Sequence, residues 1–238
     1  MIKNYNDFIE ALLNAGFSMA GGSDDGIYAV IKGGWNEQQP VGNPIKWHTG
    51  DPDTDPWEWR IRVLNQRDDI AYGKLFFKKS GYITRAWYPY FLAARRGGED
   101  FEDAYARGVI SHFAKRIYDV VHENEMLPLH GIKQMAGFTR NDKSGFDRAL
   151  NELQMGMFLA MCGEQSRAGS KIGPGQSMGP NGSWPSTVFC TTEQFFGSDV
   201  FEEAARISKN DAIRAIREQV LSLNPAADEK KIARFIGG

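Results

Sequence analysis

Residues 127–162 read LPLHGIKQMAGFTRNDKSGFDRALNELQMGMFLAMC, and their reading decides the fold. Leu129, Ile132, Lys133 and Ala136 recur at helical spacing, and Gly137 ends that helix. Ser144 is placed to cap a second helix that carries Phe146, Leu150 and Leu153. From Met155 to Cys162 the pattern becomes a near-continuous apolar run, which suits a buried strand. Two short helices leading into a strand have the layout of a winged helix, a helix-turn-helix followed by a β-hairpin.

On the C-terminal side, Gly163–Ser186 contains six glycines and three prolines and reads as the wing or a partly disordered hairpin tip. Thr187–Cys190 is the expected returning strand. Closing helices follow over 198–207, 208–222 and 226–236, with Pro225 before the last. On the N-terminal side, Phe101–Glu125 carries Tyr105, Val109, Phe113, Ile117, Val120 and Val121 on one side of a long helix.

Gly97-Gly98 breaks the chain and marks the expected domain boundary. Before it, helix 5–16 ends at Gly16, and a short strand is expected at Ile27–Ile31. Residues 33–56 are irregular, with prolines at 40, 44, 52 and 56. Asp55 and Pro56 then start a helix as N-cap and first residue. Lys74–Lys78 and Tyr82–Thr84 read as a hairpin turning at Lys79-Ser80-Gly81, and a further helix covers Trp87–Arg96. The expected class is therefore α+β, predominantly helical, with tandem winged-helix-like units and small β-hairpins. Residues 1–98 would be an N-terminal unit with a Trp/Asp-rich loop. Residues 99–238 would be a C-terminal unit with closing helices.

Composition narrows the function. A hydrophobic content of 42% with 24% charged residues describes an ordinary globular chain. A net charge of −2 excludes a strongly basic nucleic-acid binder and leaves local basic patches. Cys162 and Cys190 have no metal-ligand spacing and read as buried free thiols. His48, His112, His122 and His130 make no metal motif, and no metal is expected. The N-terminal residues lack a secretory pattern and no apolar run is long enough for a bilayer, so a cytoplasmic protein without a membrane partner is expected.

Two clusters carry candidate chemistry. The first is Trp47–Arg62, WHTGDPDTDPWEWRIR. Trp47, His48, Asp51, Asp55, Trp57, Glu58 and Trp59 offer rings for stacking a base and carboxylates for positioning water or stabilising a cationic sugar. The same residues also suit capping, turns and core packing. The second cluster is basic: Lys74, Lys78, Lys79, Arg85, Arg95 and Arg96, interleaved with aromatics that favour phosphate contact. Arg140, Lys143 and Arg148 extend it onto the second helix of the opening stretch, where Asp147 and Glu152 oppose it. The Trp47–Arg62 segment and the Lys78–Arg96 patch are expected to face one concave surface.

Several phrases together resemble the AlkZ-related proteins: DPWEWRIRVL, AYGKLFFKKSGYITRAWYPYFLAARR, LHGIKQMAGF, KSGFDRALNELQMGMF and LNPAADEKKIARFIG. These proteins are bacterial relatives of the AlkZ/YcaQ winged-helix DNA glycosylases. The resemblance implies tandem winged-helix units and a DNA-directed, DNA-repair setting. It implies base removal from alkylated or crosslinked DNA without a cofactor. The glycosylase signature is Gln, an aliphatic residue, then Gln or Asp. Here Gln66-Arg67-Asp68 is the Gln-x-Asp triplet, with arginine at its centre. On the resemblance, Asp68 would fix a water and stabilise the sugar while Gln66 orients that water. Two functional classes follow. One is a DNA N-glycosylase-like hydrolase. The other is a non-catalytic winged-helix module that binds DNA or a protein partner.

Overall fold

The structure is a computed structural model that describes residues 2–33, 42–165 and 186–238. The first half holds α1 (Tyr5–Ala15), β1 (Phe17–Met19), α2 (Pro56–Gln66), β2 (Ile70–Phe76), β3 (Lys79–Thr84) and α3 (Tyr88–Arg95). The chain continues through α4 (Phe101–Ala106), α5 (His112–Glu123), β4 (Leu127–Pro128), α6 (Leu129–Met135) and α7 (Lys143–Met155). Then come β5 (Leu159–Gln165), β6 (Ser186–Thr191), α8 (Thr192–Phe196), α9 (Asp199–Ala205), α10 (Lys209–Leu223) and α11 (Glu229–Gly237). The wing expected at Gly163–Ser186 lies largely outside the described residues.

The six strands form one mixed-architecture feature, an antiparallel sheet in the order β1-β3-β2-β5-β6-β4. Its centre is the β2–β5 pair, with Tyr72 opposite Met161. The order is palindromic. In each half the first strand pairs with the third, and the third with the second. The helix before the second strand behaves alike in both halves, because α2 packs on β5 and α7 on β2. Gly97 and Gly98 have positive φ and form the turn after α3. The sheet continues across that point, and α10 and α11 return to pack on α3.

Strand alternation puts two cores on opposite faces of the first half. Tyr72 and Tyr82 face α1 and α2, packed with Phe8, Leu12, Trp59 and Val63. Ala71 and Ile83 face the other way, onto Phe17, Phe91, Ile216 and Phe235. The Phe235 ring stacks on Phe76 at 4.0 Å and lies 5.4 Å from Phe17. A third core joins Phe101, Ile117, Phe146, Phe158 and Phe189 in the second half.

Several expected elements differ from the observed ones. The long helix over 101–125 is two helices, because Gly108 takes φ +75° and Ser111 caps a new start by accepting from Ala114 N. The helix expected to begin after Ser144 starts at Lys143, behind a short 3-10 turn capped by Thr139 and Asp142. Helix rather than strand runs through Met155, and β5 begins at Leu159. The strand beside β3 is Phe17–Met19, while Ile27–Ile31 contributes only a bridge from Ala29 to Met19. The hairpin turns at Phe77-Lys78, both at positive φ, two residues earlier than expected. That conformation suits a two-residue turn whose twist matches the strands.

Candidate functional site: a cavity between the Trp47 loop, helix α2 and the sheet

A cavity of about 630 Å³ opens on the α2 side of the sheet. That volume is typical of a small-molecule or nucleoside site. Its floor is Tyr72 and Lys74 of β2, Ser80 and Tyr82 of β3, and Met161 of β5. These are alternate strand positions, so pleating alone brings them to one face. Its walls are Gly21–Ser23 and Asp25 on one side, and Trp57, Arg60 and Leu64 of α2 on another. Trp47 closes part of the rim.

Asp55 builds that rim. It is fully buried, and its carboxylate accepts from the backbone N–H groups of His48, Thr49, Gly50 and Trp57. One side chain thus caps α2 and folds the Trp47–Gly50 loop around its end. Gly21 is the second structural requirement. It takes φ +101°, and a Cβ there would lie 2.8 Å from the Trp47 ring. Only glycine lets the indole lie against that backbone.

The cations are arranged unequally. Lys79 pairs with Asp25 at 2.5 Å. The Arg60 guanidinium lies 3.8 Å over the Trp57 ring and 4.0 Å from Glu164. Lys74 has no ion pair among the described residues. Its backbone N–H donates to the buried Gln154 side chain of α7 at 2.9 Å, which pins the strand at that position. Burial, then the neighbouring Arg60, pulls the Lys74 amine below the usual lysine range. Burial is also the main cause pushing the Glu58 and Glu164 carboxyls up, while Arg60 opposes both shifts. Trp47 Nε1, Arg60 Nε and Asp25 Oδ2 are buried without a hydrogen-bond partner among the described residues. An unmet buried polar group costs about 1–3 kcal/mol. Three such atoms around one cavity favour a ligand that supplies partners.

The candidate residues divide sharply. Trp47, Trp57, Lys74 and Lys79 line the cavity together. His48 is off the lining, its ring 5.0 Å from Trp57. Glu58 stands half-buried on α2, beside Arg60 in charge but off the lining. Asp51 is exposed and caps its own turn through Thr54 and Asp53. Trp59 is fully buried against Phe8 and gives its Nε1–H to the Pro52 carbonyl. Gln66 and Asp68 are exposed beyond the end of the cavity-facing part of α2, off the lining.

Among the expected phosphate contacts, three arginines are already engaged. Arg85 pairs with Asp199 and Glu203. Arg95 donates to the carbonyls of Leu75, Met155, Phe235 and Ile236, joining β2 to the ends of α7 and α11. Arg96 pairs with Glu193 and lies over Phe158. Lys78 is exposed at the hairpin turn, and Arg140, Lys143 and Arg148 are exposed around the start of α7. Lys143 lies 3.9 Å from Asp147.

Tyr72 and Tyr82, two of the aromatics interleaved with the basic cluster, form part of the floor. Arg60, Asp25 and Glu164 carry no such signal in the sequence, and Arg60 meets Glu164 only through the approach of α2 to β5.

The model of the AlkZ-related family matches residues 2–237. The chain belongs to that family. No curated protein and no solved structure matches it. Membership relates this AlkZ-related protein to DNA glycosylase-like proteins. Within it, Gln66 and Asp68 do not join the cavity, and among the described residues no group of three or more His, Cys, Asp or Glu is placed to hold a metal ion. No helix among them is long and apolar enough to cross a membrane.

Proposed function

We propose that this AlkZ-related protein is a DNA-directed tandem winged-helix protein that takes an unstacked nucleoside into the Trp47–Trp57 cavity without hydrolysing its glycosidic bond. The observation that carries this reading is the mixed lining: two indoles, two tyrosines and three cations against one acidic side chain, Asp25. A base stacks on aromatic faces, and the cations favour the adjoining phosphate. The family relation supplies the nucleic-acid setting. Tandem winged helices are supported by the repeated order of helix, strand, helix and hairpin, with the same strand pairing in both halves. The exposed positions of Gln66 and Asp68 weigh against hydrolysis through that triplet.

A protein-binding role for the second half has one supporting observation. Met126 and Met135 are each more than half exposed there.

The test is binding to duplexes that carry a mismatched, alkylated or tetrahydrofuran nucleotide, compared with intact duplex. Tighter binding to the unstacked sites is expected, with affinity falling as salt rises. Trp57→Ala should weaken binding by about 1–3 kcal/mol, roughly fivefold to a hundredfold. Base release from alkylated DNA should stay at background for both wild type and Asp68→Ala. No binding at low salt, or base release that Asp68→Ala abolishes, would overturn the proposal.

A further inference from the structure

Lys74 differs from every other cation in the cavity. Arg60 lies near Glu164, and Lys79 is held by Asp25. Lys74 rises from the central strand into the cavity between Tyr72 and the hairpin, and among the described residues no carboxylate meets it. Its backbone is fixed from behind by Gln154, itself buried and bonded to Leu150 O. The strand that carries the amine is therefore fixed, while the amine itself is half-buried and unpaired among the described residues. A lysine used only to attract phosphate needs no such burial.

Two surroundings act on its charge in the same direction. Burial disfavours the ammonium, and the Arg60 guanidinium repels it. Both ease loss of the ammonium proton, and the uncharged amine is the form that attacks carbonyl carbon. The carbonyl that fits a nucleoside-sized cavity in a DNA-directed protein is the aldehyde of an abasic site, the ring-opened deoxyribose left where a base is missing. This step rests on the DNA-directed reading above.

We propose that Lys74 forms an imine with C1′ of an abasic site, so that the protein acts as a lyase on DNA that has already lost a base. Lys74 Nζ attacks C1′ and gives a carbinolamine. The former carbonyl oxygen then leaves as water, taking two protons, and the C1′=N bond forms. The imine makes the C2′ hydrogen acidic. Water removes that proton, a C2′=C3′ double bond forms, and the 3′ phosphate leaves with the electron pair of its C3′–O bond. Water finally hydrolyses the imine and restores the amine. No oxidant or reductant takes part.

The experiment mixes the full chain with end-labelled abasic duplex and sodium borohydride, which reduces an imine to a stable amine. The expected result is a denaturation-resistant protein–DNA adduct, located at Lys74 by peptide mass spectrometry. Lys74→Arg keeps the positive charge and should lose at least nine-tenths of the adduct. Lys230→Arg, on the exposed face of α11 and outside the cavity, should trap like wild type. Without borohydride, wild type should nick the duplex and Lys74→Arg should not. Absence of an adduct from wild type, or an adduct mapped to another lysine, overturns the inference. Wild-type mapping keeps the test valid even if a variant fails to fold. Binding to duplex with a tetrahydrofuran site, which has no aldehyde, is measured alongside. Binding without trapping overturns this inference alone, whereas no binding overturns the DNA-directed reading as well.

Discussion

The two halves of the sheet share an element order but not an interior. In the second half, β4 is followed by the short α6 and a capped 3-10 turn before α7. Phe138 fills that connection, edge-on to Phe113 at 5.1 Å and to Phe146 at 4.9 Å. In the first half, the described residues between β1 and α2 are 20–33 and 42–55. That connection contributes Gly21–Ser23, Asp25 and Trp47 to a cavity instead of closing one. The difference teaches that the strand–helix frame tolerates either a packed or an open connection. Where the frame repeats, the irregular copy is the one to search for a ligand.

The frame itself should be the costliest thing to disturb. Phe235 comes from the last helix yet is fully buried against Phe17, Phe76 and Phe91 of the first half. Phe235→Ala should lose about 3–5 kcal/mol of stability, as truncating a buried aromatic does. Chemical denaturation followed at both the tryptophans and the far-ultraviolet signal should show one shifted transition. Two separated transitions would mean that the halves unfold independently, which would break the comparison.

The open connection depends on Asp55. Asp55→Ala leaves four backbone donors without their carboxylate. A loss of about 2 kcal/mol is expected from the cap alone, with tryptophan fluorescence changing as the Trp47 loop loosens. Gly21→Ala is the milder probe. A left-handed backbone for alanine costs roughly 1–2 kcal/mol, and its methyl would drive Trp47 from the rim. Ligand or DNA affinity should fall by more than stability does. Equal affinity in Gly21→Ala would show that the Trp47 rim is not where binding occurs.

The frame was more legible than the site, for a physical reason. Asp55-Pro56 announced α2, and Ala212, Ile216 and Val220 announced the buried stripe of α10, because caps and periodicity are local. Gly108 in the 101–125 stretch carried the opposite signal, but its apolar spacing concealed the break. Within the site, Trp47 and Trp57 belong to the cavity while Trp59, two residues on, belongs to the core. Helix rotation separates them, and only the packing of α1 determines which side is inside. Arginine was least legible. Arg95 looked like a phosphate contact, but its partners are four carbonyls brought together by α7, α11 and β2. No local pattern reports that convergence.

The smallest effect concerns charge at the cavity's edge. Glu164 is half-buried on β5, its carboxyl pushed up chiefly by burial, with the nearby Arg60 opposing. A folded state that raises a carboxyl's pKa binds its proton more tightly than the unfolded chain does. Between the two pKa values the folded state holds the extra proton, so this group's contribution to stability falls as pH rises through that window. It is fully unfavourable once pH exceeds the folded value. Glu164→Gln removes the ionisation, so the variant should be slightly more stable than wild type at neutral pH. The advantage should vanish as pH drops below the ordinary carboxylate range, where both proteins are neutral at this position. Thermal unfolding across that range measures it. A variant less stable at neutral pH would mean that the 4.0 Å contact with Arg60 outweighs desolvation. Glu164 would then anchor Arg60 over Trp57, and the cavity's cationic wall would depend on the second half of the sheet as Lys74 depends on Gln154.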